Sequence, residues 1–179
     1  MRRSVPILLI LLAACSQFRV RSNFDPRKDF THLRTYAWVP LDQADPADQR
    51  LLDRYLEKRV RSAVESELGA KGYKPVDAGT PDFLVNYRLT TEASDSARGR
   101  AVPWGTWESG DTVNRESYDV GTLLIGISDG HSHRLVWIGA AQTRLLSNAS
   151  LEKRAERAEE AVQQILASFP PKPGSDAVH

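Results

Sequence analysis

Tyr118-Asp-Val-Gly-Thr-Leu-Leu-Ile-Gly-Ile-Ser128, then Asp129-Gly-His-Ser-His133, then Arg134-Leu-Val-Trp-Ile-Gly-Ala-Ala-Gln-Thr-Arg-Leu145, is the stretch on which the fold turns. Two runs rich in strand-forming residues flank five polar, turn-forming ones, which predicts two long antiparallel strands joined as a hairpin. Leu124 and the alternate residues Val136, Ile138 and Ala140 place apolar groups on both faces of the sheet that results. A second apolar face needs a cover.

Working outward, Phe83, Val85, Tyr87 and Leu89 alternate with Leu84, Asn86, Arg88 and Thr90 in a further strand. Glu92 to Ser117 reads as a long polar loop containing Gly99, Gly105 and Gly110 and the indoles of Trp104 and Trp107. Tyr73 to Val76 predicts a short edge strand, and Thr35 to Val39 a strand stopped by Pro40. Val20, Ser22 and Phe24 alternate with polar residues before an Asp25-Pro26 turn.

Two amphipathic helices complete the pattern. Leu52, Leu56, Val60, Ala63, Val64 and Leu68 recur at helical spacing behind Asp45-Pro46, a cap and first-turn pair, and stop near Gly69 and Gly72. Leu151, Ala155, Ala158, Val162, Ile165, Leu166 and Phe169 form a second stripe, capped by Asn148 or Ser150 and terminated by Pro170-Pro171. Each stripe is one-sided, so each helix covers a sheet rather than sitting inside a bundle. The alanines of the second would allow close approach to a partner helix, but docking on its own sheet is the simpler reading. The fold class that follows is α+β: a two-layer sandwich, its sheet mixed but mostly antiparallel, with both helices on one face.

The N-terminus speaks to location. Arg2 and Arg3, an apolar run from Val5 to Ala14, and Leu12-Ala13-Ala14-Cys15 form a lipoprotein signal peptide, cleaved between Ala14 and Cys15. The run is too short for a transmembrane helix, which needs about 20 apolar residues, and Pro6 interrupts it. Cys15, the sole cysteine, would carry diacylglycerol and anchor the chain to a membrane by its acyl chains. Ser16, rather than aspartate, in the next position favours the periplasmic face of the outer membrane over the inner one. The expected organisation is a leader over 1–14, a lipidated tether over 15–19, a single domain over 20–170 and a disordered tail over 171–179. Loss of Arg2 and Arg3 with the leader leaves 22 basic against 23 acidic residues. That balance favours neither nucleic acid nor an anionic lipid surface. With its cysteine acylated, the mature chain has no thiol for a disulfide.

A set of ordered residues carries a resemblance. Val20-Arg-Ser-Asn-Phe-Asp-Pro26, Asp29-Phe30, Thr35-Tyr-Ala-Trp38, Gly72-Tyr73, Pro81-Asp-Phe-Leu-Val85 with Tyr87, Gly121-Thr-Leu123, Arg134-Leu-Val-Trp137 with Gly139, and the closing Val162, Ile165 and Phe169-Pro170 follow one another across the mature chain. Together they resemble bacterial lipoproteins of the DUF4136 family. Gly126 departs from that pattern, where an acidic residue is expected. The resemblance implies an envelope lipoprotein with an α+β domain and brings no catalytic residues.

Candidate chemistry is sparse. Asp129, His131 and His133 are close in sequence, but a turn solvates such residues, and zinc needs three or four ligands with no donor besides His32 in prospect. No Gly-x-Ser-x-Gly elbow and no phosphate loop with a following Lys-Ser/Thr pair occurs. The acidic residues of 152–160 alternate with Lys and Arg as a solvated helix surface. Neither an enzyme nor a cofactor or metal site is expected. Trp104 and Trp107 are the candidate contact pair: they either anchor a partner or fold back over the second sheet face. Trp38 and Trp137 are expected in the core. The leading expectation is a non-enzymatic structural or binding lipoprotein of the envelope, with the membrane and an envelope protein as partners and no nucleic acid. An accessory subunit of an envelope transport or assembly complex, and a small periplasmic hydrolase, are the alternatives.

Overall fold

The computed structural model describes residues 18–39, 54–93, 119–145 and 149–172. Among these, six strands form one open sheet: β1 (Arg19–Phe24), β2 (Thr35–Trp38), β3 (Lys74–Pro75), β4 (Phe83–Ala93), β5 (Asp119–Asp129) and β6 (Leu135–Arg144). Helices α1 (Arg54–Ala70) and α2 (Leu151–Leu166) pack on it. The strand order is β1-β6-β5-β4-β2-β3. β1, β6, β5 and β4 run antiparallel in turn, whereas β2 is parallel to both β4 and β3. A parallel pair needs a crossover, and α1 lies in the connection between β2 and β3. The α+β class and the mixed, mostly antiparallel sheet are thus as the sequence predicts.

The β5–β6 hairpin is shaped by Asp129. Its Oδ1 accepts the backbone N–H of His131 at 3.1 Å and of Ser132 at 2.8 Å, while its backbone carbonyl accepts from His133 at 2.9 Å. An aspartate that bonds the backbone two or three residues on is a turn-forming device. His133 takes the left-handed conformation at φ 57°, which closes the turn before Leu135.

The register decides what is buried. Val85, Ile127, Trp137 and Phe24 line up across four strands, followed by Tyr87, Ile125, Gly139 and Ser22. Onto this face α1 lays Leu56, Val60, Val64 and Leu68, and α2 lays Ala155, Ala161, Val162, Ile165 and Leu166. Gly139 is needed for the approach of α2: a Cβ there would meet Ile165 Cγ2 at 2.4 Å and Trp137 Cη2 at 2.5 Å. The predicted caps are present at the start of α2 and at the end of α1. Ser150 Oγ accepts from Lys153 N at 3.2 Å to open α2. Beyond α1, Gly72 at φ +88° turns the chain so that Tyr73 N–H bonds Leu68 O at 3.0 Å.

Phe169, just beyond α2, is the aromatic centre of the core. Its ring lies 5.2 Å from Trp137, 5.6 Å from Tyr73, 5.7 Å from Phe83 and 6.1 Å from Phe30. It thereby joins the end of α2 to the start of β4, to β6, and to the connection between β1 and β2.

Three details differ from the sequence reading. β4 runs through Glu92 and Ala93, which the sequence assigned to the loop, because their partners Val120 and Asp119 extend the ladder. Trp38 is half-buried at the edge of the helix layer, not enclosed within it, whereas Trp137 is fully buried as expected. The strand foreseen over Tyr73 to Val76 is the two-residue β3. The helix start at Asp45-Pro46, the cap candidate Asn148 and residues 173–179 of the tail lie outside the described residues.

Replacement Leu56→Asp sets an unpaired carboxylate between helix and sheet and is expected to abolish the cooperative thermal transition seen by circular dichroism. Phe169→Ala removes four ring contacts and is expected to lower stability by about 3–5 kcal/mol, read from urea midpoints at constant m.

Candidate functional site

Cys15, Trp104 and Trp107, the residues singled out in the sequence, lie outside the described residues. The fold nevertheless fixes where their segments join it. Ala93 and Asp119 are register partners, so the 94–118 connection begins and ends side by side at one end of β4 and β5. Arg19, four residues after Cys15, opens the edge strand β1 at that same end of the sheet.

The opposite end of the sheet gathers most of the described ion pairs. Lys28 Nζ donates to Asp129 Oδ2, tying the β1–β2 connection to the β5–β6 turn. That bond first, and the N–H and hydroxyl of Ser132 after it, hold the Asp129 carboxyl far below the ordinary range. Asp25 pairs with Arg27 at 3.1 Å and is lowered by it. Asp82 takes the backbone N–H of both Arg34 and Thr35 at 2.8 Å, and its own N–H reaches Thr35 Oγ1 at 3.1 Å. These contacts depress its pKa as well. A cleft of about 340 Å³ lies among Asp25, Arg27, Lys28, Asp129, Ser132 and Arg134. The sequence trio Asp129, His131 and His133 does share this turn, but the carboxylate is given to Lys28 and Ser132, and both imidazoles are exposed. His32 faces Asp29 at 3.3 Å instead. Among the described residues no group of three or more His, Cys, Asp or Glu side chains is arranged to hold a metal ion.

A larger cleft, about 730 Å³, opens along β2 and β3. Its wall is Trp38, whose indole N–H donates to Glu65 Oε1 at 3.0 Å. The Arg61 guanidinium lies 4.4 Å from the centre of its ring, a cation–π arrangement. Tyr87 meets the same indole edge-on at 5.9 Å, and burial pushes its hydroxyl up to about 12. Arg61 and Glu65 are one helical turn apart on α1, and this spacing sets both over β2. Indole face, guanidinium and carboxylate are groups that can take part in binding a polar ligand. The sequence reading missed this grouping. The i,i+4 spacing was visible, but the match to Trp38 requires knowing that α1 lies above β2.

The sheet face away from the helices also carries apolar groups, as the alternation predicted. Ala140 is buried on it, and Leu124 and Ile138 half-buried, whereas the bulge opposite Ser128 carries Val136, which the alternation had placed on this face, into the core cluster instead.

The sequence pattern of one family, a domain of unknown function (DUF4136), matches residues 20–171, from β1 to just past Pro170. The chain belongs to the DUF4136 family. Every described strand and both described helices of the DUF4136 domain fall within or at the edge of that match. At Gly126, a Cβ would lie 2.2 Å from Asn86 Oδ1, so the amide of Asn86 occupies the space a side chain would take. No curated protein matches the chain. Among solved structures, a PDZ domain protein from Parabacteroides distasonis is 20% identical over 87% of this chain, with a TM-score of 0.57. The chain spans 37% of that protein, and the likeness shows the fold alone. A PelC dodecamer from Paraburkholderia phytofirmans is 10% identical, covering 87% of this chain and 99% of its own, at a TM-score of 0.45. A neuraminyllactose-binding hemagglutinin homolog from Helicobacter pylori is 11% identical over 84% and 94%, at 0.40.

The depressed carboxyls imply acid sensitivity with a definite sign. Asp82 and Asp129 have folded pKa values below their unfolded ones, so their stabilisation is complete above about pH 4, the unfolded carboxylate range, and is lost as pH falls below it. Urea midpoints should decline steeply from pH 4 to pH 2, and Asp129→Asn should flatten that slope while lowering the midpoint at pH 7.

Proposed function

We propose that the chain is a lipid-anchored lipoprotein on the periplasmic face of the bacterial outer membrane, acting by tethering and presentation rather than catalysis. The observation that carries this reading is Leu12-Ala13-Ala14-Cys15 behind Arg2-Arg3 and a short apolar run, with the sole cysteine at the processing point. Membership of the DUF4136 family fits it, because the family's match begins at residue 20 and leaves the leader and a short tether outside the domain. The anchor would be firm: each buried CH₂ contributes about 0.8 kcal/mol, so two or three acyl chains hold where one would exchange. Among the described residues no helix is long and apolar enough to cross a membrane. On such a tether the domain offers the Trp38 cleft, with its indole, guanidinium and carboxylate, to a protein or small polar ligand in the envelope.

The test is chemical. Intact-mass analysis of the membrane-extracted protein should find Cys15 as the N-terminus, carrying a diacylglycerol adduct. Cys15→Ser should lose the adduct and leave the membrane fraction. A wild-type chain without acyl mass, or acyl mass retained in the Cys15→Ser variant, would overturn the proposal.

A further inference from the structure

We infer that the Trp38 cleft takes the carboxyl end of a peptide chain, its terminal carboxylate on Arg61 and its last amide on the backbone of Trp38. The assignment rests on the proposed role of that cleft as a binding surface and adds the chemistry of what it binds. Arg61 and Glu65 stand four residues apart on α1, the spacing at which opposite charges ordinarily pair. Here they do not. Glu65 Oε1 instead accepts the indole N–H of Trp38 at 3.0 Å. The Arg61 guanidinium lies over the same ring, 4.4 Å from its centre, and among the described residues it donates no hydrogen bond and enters no ion pair. Half-buried in the wall of a cleft of about 730 Å³, it keeps a planar fork of N–H donors that matches the two oxygens of a carboxylate.

The margin of the sheet supplies the second group. Lys74 N donates to Arg34 O and Val76 N to Tyr36 O, so Arg34 and Tyr36 turn their backbone toward β3. Val39 N donates to Val85 O, on the β4 side. By this alternation Trp38 points its N–H and C=O away from β4, beyond the last rung of β3, which pairs Tyr36 with Pro75. Among the described residues no strand lies beside Trp38 on that side. An unpaired rung is a template for the backbone of another chain. It is a single rung, because β2 ends at Trp38 and Pro75 offers no N–H along the outer side of β3. A long strand, such as one from a second copy, finds too little there to pair with. A chain end needs one rung only, and it brings the carboxylate that suits Arg61. Trp38 joins the two features, since its backbone is the rung and its ring is the platform under the guanidinium. The carboxylates of Glu65 and Asp77, also in the cleft, disfavour a bare anion that has no amide to offer the rung.

The experiment titrates acetyl-trialanine with a free carboxyl end, and the same peptide closed as its carboxamide, into the nitrogen-labelled membrane-extracted chain in detergent micelles. Nuclear magnetic resonance should show saturable shifts at the Trp38 backbone amide and the Arg61 side-chain N–H. The carboxamide should bind about tenfold more weakly, the loss expected when a charge-assisted hydrogen bond is removed. Acetate at the same concentration should leave the Trp38 amide unmoved. Arg61→Gln should erase the preference for the free acid. Comparison of acid with carboxamide uses the wild-type chain, so the outcome does not depend on the variant folding. Equal affinity for the two peptides at Trp38 overturns the carboxyl end as ligand and leaves the cleft a binding surface. Shifts confined to residues other than Trp38 and Arg61, or no saturable shift with either peptide, overturn the assignment outright and leave the anchor standing. Absence of the acyl adduct by intact mass overturns the anchor alone, and the same titration still decides the ligand.

Discussion

Where Ile165 lies against the bare backbone of Gly139, helix α2 comes closer to the sheet than any side chain at that position would allow. The depth of that seat governs much of what surrounds it. It brings the end of α2 down so that Phe169 can reach Trp137, Tyr73, Phe83 and Phe30 together. It also sets the trough in which α1 places Val60, Val64 and Leu68, all fully buried. A core assembled in this way spends both helices on one face. The other face is left with its own small residues, such as Ala140, and with a border of arginines.

The two ends of the sheet are built on different principles. At one end, polar side chains clamp loops to one another: Asp82 binds the backbone at Arg34 and Thr35, and Asp129 binds its own turn and Lys28. Both carboxylates are satisfied within the molecule, which makes that end self-contained and acid-labile. At the other end stand the start of β1, the close of β6 and the open end of the β4–β5 pair, with exposed basic residues among them.

Much of the architecture could be read from periodicity. The hairpin about Asp129, the strands near Thr35 and Phe83, and the stripes of α1 and α2 follow from alternation of two or of three to four residues, and the caps Ser150 and Gly72 follow from backbone chemistry. What could not be read depends on pairing. Glu92 and Ala93 look like loop residues until Val120 and Asp119 are set opposite them. Trp38 looks like core until its strand is placed next to the short β3 near the sheet's rim. Charge shows the same limit more sharply. A count of 22 basic and 23 acidic residues carries no hint that Arg21 and Arg88, distant in sequence, share one row. Composition records a sum, whereas recognition depends on where the terms fall.

One feature of the topology bears on how such domains diversify. β4 and β5 are adjacent and antiparallel, and their chain connection departs and returns within a single ladder rung, Ala93 opposite Asp119. Closing a longer excursion between two points already held together costs little, about 0.6 kcal/mol for each doubling of its length. Residues grafted there would leave the ladder, the helix seats and the loop clamps as they are. Evolution can therefore rewrite this junction freely, acquiring new sequence at a place the framework hardly notices, and an experimenter can install a reporter there on the same terms.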